Sequence, residues 1–278
     1  MTAAPATPRV HTSLGRLSFA RVLRAEWIKL RTLRSTFWTL GSVIVLVVGF
    51  SALLSASMPS AADFRSQAPE APTDQFVLIS ATTGLTFAQL VIAILGVLAI
   101  SGEFSTGMIR SSLAAVPRRF PVLAAKALTL FLVSFVVGLI SFAASWSIAV
   151  PLLSAKGFKA DLFADSTLWA ILGAAVYLGL VSVFALGVGT IVKSSAGGIA
   201  AALGVLFVLP IIASIAASLL PKTQWIVDAQ QYLMSASGTA MAGHTNGTFE
   251  PWQSVLTVVV WTAVAFGLGA VLLQRRDA

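Results

Sequence analysis

Glu103 stands in the stretch Gly102-Glu103-Phe104-Ser105-Thr106-Gly107-Met108-Ile109-Arg110, where charges and hydroxyls alternate with large apolar side chains. The segment is too polar to lie in lipid, yet Phe104, Met108 and Ile109 make it too apolar for a simple solvated loop. A short helix that buries those side chains against another protein fits the pattern, with Gly102 and Gly107 bracketing it. Glu26 is the second carboxylate at an informative place, because it projects from the apolar side of an amphipathic segment. Two explanations stay open for it: an ion pair with Lys29 one turn on, or a carboxylate turned inward to hold a neighbouring helix or a cytosolic partner.

Other chemistries lack their residues. His11 and His244 are isolated, so the paired histidines and glutamate of a zinc hydrolase are missing and no metal site is expected. With no cysteine in the chain, disulfides, iron-sulfur clusters and thiol catalysis are excluded. No Gly-Lys pair occurs, so no phosphate-cradling loop can be built and energy for uphill work must come from another chain. Neither metal ligands nor a nucleophile-base pair point to an enzyme.

The elements that must position these residues are six apolar runs, about 37–57, 76–100, 122–150, 168–192, 196–220 and 252–273. Each is long enough to cross a hydrocarbon core about 30 Å thick, which takes about 20 helical residues. Hydrophobic residues make up 57% of the 278 and charged residues 10%, far too apolar for the interior of a soluble fold of that length. The fold expected is all-α and polytopic.

Basic residues set the orientation. Arg9, Arg16, Arg21, Arg24, Lys29, Arg31 and Arg34 precede the first run; Arg110, Arg118, Arg119 and Lys126 follow the second; Lys193 follows the fourth; Arg275 and Arg276 follow the sixth. The opposite side holds only Arg65, Lys156, Lys159 and Lys222. By the positive-inside rule both termini are cytoplasmic. The formal charge of +8 is thus mainly a topology signal, with anionic headgroups as a secondary partner and no nucleic acid.

Residues 1–13, rich in proline, threonine and alanine, read as a disordered cytoplasmic tail. Over 14–35, Phe19, Val22, Leu23, Leu30 and Leu33 gather on one helical side and Arg21, Arg24 and Arg31 on the other, as in a helix lying in the headgroup layer. Residues 36–276 then form one six-helix membrane domain. Its first outer loop, with Pro59, Pro69 and Pro72, looks irregular. Its outer segment 221–251 should rest partly on the membrane surface as a short helix, through Trp225, Tyr232 and Trp252. Lys193-Ser194-Ser195 is a tight turn, so the fourth and fifth runs must be antiparallel neighbours. Gly138, Gly179, Gly187 and Gly189 suit close helix packing. Gln89, an amide well inside the second run, should bond across a helix pair. Pro210 should kink or open the fifth run. No charged residue lies deep in any run, which counts against an ion-coupled carrier.

Three passages carry a resemblance to a known family: Arg24-Ala25-Glu26-Trp27-Ile28-Lys29-Leu30, Gly102 to Arg110, and Leu186 to Lys193 continuing through Ser194-Ser195-Ala196 to Pro210. With six runs and a long outer segment before the last, the chain resembles the permease subunits of ABC transporters of the type 2 exporter class. The resemblance implies that ATP is bound by a separate cytosolic ATPase and that this chain carries no cofactor. It implies pairing as a homodimer or with a second permease. The crossing at 102–110 would then be a coupling helix seated in the ATPase, with Glu103 and Arg110 as charge contacts, Phe104, Met108 and Ile109 as apolar anchors, and Gly102 and Gly107 at the turns. Glu26 would relay movement to the first run. In the family a tyrosine and a basic residue often follow the glutamate, where this chain has Phe104 and Ser105. Export is the direction implied, and the uncharged runs favour an amphipathic or lipid-like substrate. A membrane scaffold or sensor driven by such an ATPase would need the same crossing. The alanine-rich, cysteine-free, arginine-favouring composition points to a bacterial cytoplasmic membrane.

Overall fold

The computed structural model describes residues 18–67, 75–108, 119–159, 165–220, 223–244 and 250–275. Among these the backbone is helical with short turns and no strand. That is the only open-chain solution in hydrocarbon, where every backbone N–H and C=O must be paired within its own segment. Six helical stretches are long and apolar enough to cross a membrane: Arg34–Ser57, Phe76–Ser105, Arg119–Ser154, Ser166–Val192, Ser195–Leu219 and Pro251–Arg275.

The chain enters through α1 (Phe19–Thr32). One extended residue, Leu33, turns it into the first span, α2 (Arg34–Ser57). The tail assigned to residues 1–13 lies outside the described residues. At the far end, α3 (Ala61–Gln67) occupies part of the loop read as irregular from its prolines, of which Pro69 and Pro72 lie outside the described residues. Ser60 Oγ accepts from Asp63 N at 3.2 Å and donates to the Asp63 carboxylate at 2.6 Å, a reciprocal cap that starts a helix in a short stretch.

The second span comprises α4 (Gln75–Thr82) and α5 (Leu85–Ser105), separated at Thr83 and Gly84. The third is α6 (Arg119–Ser154), the fourth α7 (Asp165–Val192). Arg119 Nη1 donates to Leu273 O at 2.8 Å, so the start of α6 and the end of α12 (Pro251–Arg275) lie at the α1 end of the bundle. The fourth span is the centre of the fold: 72% of its most apolar window is buried, against 11% for the fifth. It packs on α5, α6 and α12. At Gly187 it meets the sixth span so closely that a Cβ would lie 2.6 Å from the Ala265 backbone, an approach that only glycine permits. Gln89 pairs across helices as expected, its Oε1 accepting from the Tyr177 hydroxyl of α7.

The fifth span departs from a simple proline kink. It runs as α8 (Ser195–Leu203), a π-helical turn over Gly204–Val208, and α9 (Leu209–Leu219) with Pro210 in its first turn. Pro210 has no N–H for the carbonyl four residues back, and Leu209 N instead reaches Gly204 O. The strain of an interior proline is thus absorbed by a wider turn just before it. Segment 221–251 holds two short helices among its described residues. Within it, α10 (Gln224–Gln230) exposes Trp225 and Val227, whereas α11 (Met234–Met241) buries Met234, Ser237, Gly238 and Met241 against α7 and α12. Small residues at 235–240 let α11 fold back into the bundle rather than lie on its surface.

Candidate functional site

At the α1 end, four charged side chains from three helices close into a ring. Lys29 Nζ donates to Glu26 Oε1 at 2.8 Å and to Glu103 Oε1 at 2.9 Å. Lys126 Nζ donates to Glu26 Oε2 at 2.6 Å and to Glu103 Oε1 at 2.9 Å. Each cation touches both carboxylates, and the ring is neutral. Glu26 and Glu103 are each 4% exposed and Lys126 5%, while the Lys29 side chain keeps 30%.

Helix periodicity explains how apolar helices bring such groups together. On α1, Val22, Leu23, Glu26, Lys29 and Leu30 share the inward face, with Arg21, Arg24 and Arg31 exposed behind them. On α6, Lys126 is in register with buried Val122, Leu123 and Leu130; on α5, Glu103 follows buried Gly96 and Ile100. Glu26, Glu103 and Lys126 occupy positions where the pattern calls for an apolar residue, so none of the three can turn to water without turning its helix.

Burial alone would raise the pKa of Glu26, but Lys126 and Lys29 outweigh it and hold the carboxyl below its ordinary value. Burial likewise works against the charged form of Lys29, and hydrogen bonds to Glu26 and Glu103 reverse this, leaving its pKa raised. Bringing each ion out of water costs several kcal/mol, which the pairing roughly offsets. The ring adds little to stability but is expensive to open at one corner. Its chemical capacity is mechanical: it ties α5 to α1 and to α6 through charges that cannot slide independently.

Glu103 therefore does not project toward a partner in this chain. Both its bonds are internal, and its Oε2 is buried without a hydrogen bond among the described residues. Gly102 is not at a turn, a correction to the bracketing read from the sequence. It lies within α5, its carbonyl accepting from Thr106 N at 3.2 Å and from the hydroxyls of Ser105 and Thr106 at 3.0 and 2.8 Å. These bonds carry the helix one turn past the glycine. The turn comes at Gly107, whose φ of +70° is open to glycine and strained for other residues.

Phe104 is half-buried, with Lys193 Nζ 5.3 Å from its ring centroid. Ser105, Thr106, Gly107 and Met108 are exposed beyond it. Ile109 and Arg110 lie outside the described residues. The structure thus brings Glu26 and Glu103 together and adds Lys126, which sequence reasoning had counted only as a topology charge. The available signal was its register: a lysine in phase with Leu123 and Leu130 inside a long apolar helix.

A family model described as ABC-2 family transporter protein matches residues 20–278 of the chain. Comparison with curated proteins gives no match.

Proposed function

The chain belongs to the ABC-2 family of transporter proteins, a multi-pass membrane permease of an ABC transporter, and from that premise we propose that the α5 end is where a separate ATPase drives it. In this reading the α1 end faces the cytoplasm, in keeping with the basic residues at that end. The exposed residues Ser105 to Met108 meet the ATPase, Gly107 sets the turn, and Ile109 and Arg110 extend the contact. Glu103 acts one step inward, passing movement of the crossing to α1 and α6.

The charge ring is the observation that carries this. A displacement of the last turn of α5 must either break two ion pairs, the one to Lys126 buried and the one to Lys29 partly so, or drag Lys126 and Lys29 with it, and dragging is the cheaper path. Through Lys29 and Glu26 the pull reaches α1, and through Leu33 the first span. The Phe104-Ser105 pair, where the family often has tyrosine and a basic residue, leaves apolar contact and small hydroxyls as the main docking chemistry.

Export of an amphipathic or lipid-like substrate across a bacterial cytoplasmic membrane is the proposed activity. Support comes from the uncharged middle of the spans and from an unpaired lateral surface: Trp38 and Leu53 on the first span and Ile212 and Leu219 on the fifth are more than half exposed in one chain. A second permease, identical or related, and lipid would cover that surface. No nucleotide site or catalytic group is assigned to this chain.

The test is purification of tagged protein from native membranes in mild detergent, comparing the unaltered chain with Glu103→Ala. An ATPase that accompanies the first and is lost or uncoupled in the second supports the reading. Absence of any ATPase across several detergents would sink it. Normal transport with normal ATPase binding in Glu103→Ala would remove Glu103 from the mechanism.

A further inference from the structure

Resting on the coupling role just proposed, we infer that Lys193 is a positioning residue that passes displacement of the crossing to the fifth span, by a route separate from the charge ring. Lys193 occupies the turn between α7 and α8. Among the described residues it is the one non-glycine with positive φ, at 56°, a conformation that a Cβ disfavours. Glycine would fit that turn without strain, so the side chain has to account for the lysine. Its ammonium lies 5.3 Å from the centre of the Phe104 ring, within the range of a cation-π contact.

The contact belongs to a continuous ridge. Val97, Ser101 and Phe104 line one face of α5 at helical spacing. Gly198 of α8 comes up against Val97, Ser195 Oγ donates to Ser101 Oγ at 2.9 Å, and Lys193 covers Phe104. Ser194 caps α8 by accepting from Gly197 N at 3.4 Å. The first turns of the fifth span are therefore fixed to α5 at three successive levels.

The remainder of that span is held differently. Beyond the π turn at Gly204–Val208, α9 buries none of its residues in this chain. A helix gripped at one end, free at the other and interrupted by a wide turn between is a lever with a pivot. Glu103 and its neighbour Phe104 thus lead in opposite directions: the carboxylate toward α1 and α6, the ring toward the turn that starts the fifth span. Lys193 is the group that makes the second connection at the level nearest the crossing.

The absence of cysteine makes the test direct. Leu219→Cys places a thiol at the far end of α9, on the face that the second permease and lipid would cover, so that its rate of reaction with a maleimide reads movement of that face; the rate is measured in the purified permease–ATPase complex in lipid nanodiscs, with and without ATP. The ratio of the two rates is compared in otherwise unaltered protein and in K193M, K193G and K193R. The expected result is a nucleotide-dependent ratio that falls to unity in K193M and K193G, with the ATPase still bound, and survives in K193R. K193G relieves the backbone strain, so it keeps the test valid if K193M misfolds. An unchanged ratio in K193M or K193G overturns the inference. So does loss of the ratio in K193R, which would make the turn rather than the cation responsible, and so does release of the ATPase by K193M, which would make Lys193 a direct docking group. Failure of the unaltered chain to retain an ATPase is a different result: it removes the coupling reading itself.

Discussion

At the α1 end lysines meet carboxylates, and at the far end a lysine meets backbone. Lys156 Nζ donates to the carbonyls of Ser55, Ala56 and Met58 at 3.0, 2.7 and 2.6 Å, the carbonyls that the end of α2 leaves without helical partners. Ala61 N returns a bond to Lys156 O at 2.8 Å. Beside them Phe64, Phe76 and Phe158 form a cluster with centroids 4.5 to 6.4 Å apart. Loss of Lys156 uncovers carbonyls that water can reach, whereas loss of one ring member strands a buried charge. The α1 end should fail abruptly when altered, and the far end by degrees.

The largest effect expected is at Lys126. Lys126→Met leaves two buried carboxylates facing Lys29 alone, and breaking a buried pair from one side costs about 3–5 kcal/mol. Thermal unfolding in detergent, followed through tryptophan fluorescence, should fall by on the order of 10 °C. Adding Glu103→Gln to Lys126→Met restores a balanced Glu26–Lys29 pair and should recover most of that loss. A double variant no better than the single would show that the ring is not one electrostatic unit.

Midway along the bundle, Gln89→Leu should cost about 1–3 kcal/mol by leaving the Tyr177 hydroxyl buried without a partner. Gln89→Leu together with Tyr177→Phe should be closer to neutral, and the same melting assay decides. Lys156→Met should cost less, about 1 kcal/mol, because its side chain is only partly buried and its carbonyls can be hydrated. Its effect should also be local, seen as faster hydrogen exchange around residues 54–61 with the α1 end unchanged. A loss as large as that of Lys126→Met would erase the contrast between the ends.

The contrast was only half legible in the sequence. Span lengths, the Lys193–Ser195 turn and the Gln89 cross-bond follow from hydropathy and small-residue chemistry, which act locally. Glu26 was readable as an inward carboxylate because its own helix shows the mismatch. Its partners were not: meeting Glu103 and Lys126 depends on how three helices pack, and charge spacing along the chain does not encode that. Gly102 misled because a glycine near a helix end suggests a turn, while the hydroxyls of Ser105 and Thr106 extended the helix past it. The π turn before Pro210 is a local response, but a proline does not by itself say whether its helix kinks or widens; the inward fold of α11 depends on packing against α7 and α12, which a small-residue run does not specify alone.

The smallest effect separates the two ends by pH. His244 Nε2 lies 2.7 Å from Thr82 Oγ1; with the Thr82 hydroxyl hydrogen given to Leu78 O at 2.8 Å, the tautomer that completes the pair is the one with Nε2 as donor. Burial lowers the pKa of His244 below its ordinary 6.5. A depressed pKa contributes stability that is present above about pH 6.5 and is lost as pH falls from there through the folded value. In the ring, by contrast, the pKa of Glu26 is lowered from 4.5 and that of Lys29 raised from 10.5. Their contributions are lost only in stronger acid or stronger base, so neither titrates between pH 5.5 and 7.5, a window set by these directions. Acidification across that window should therefore lower the melting temperature slightly. Hydrogen exchange should rise around residues 78–82 and 241–244 but not around Glu26. His244→Gln keeps a donor without a titration and should remove the response. A response that persists in His244→Gln, or that appears first in α1, would place the acid-sensitive group at the other end of the molecule.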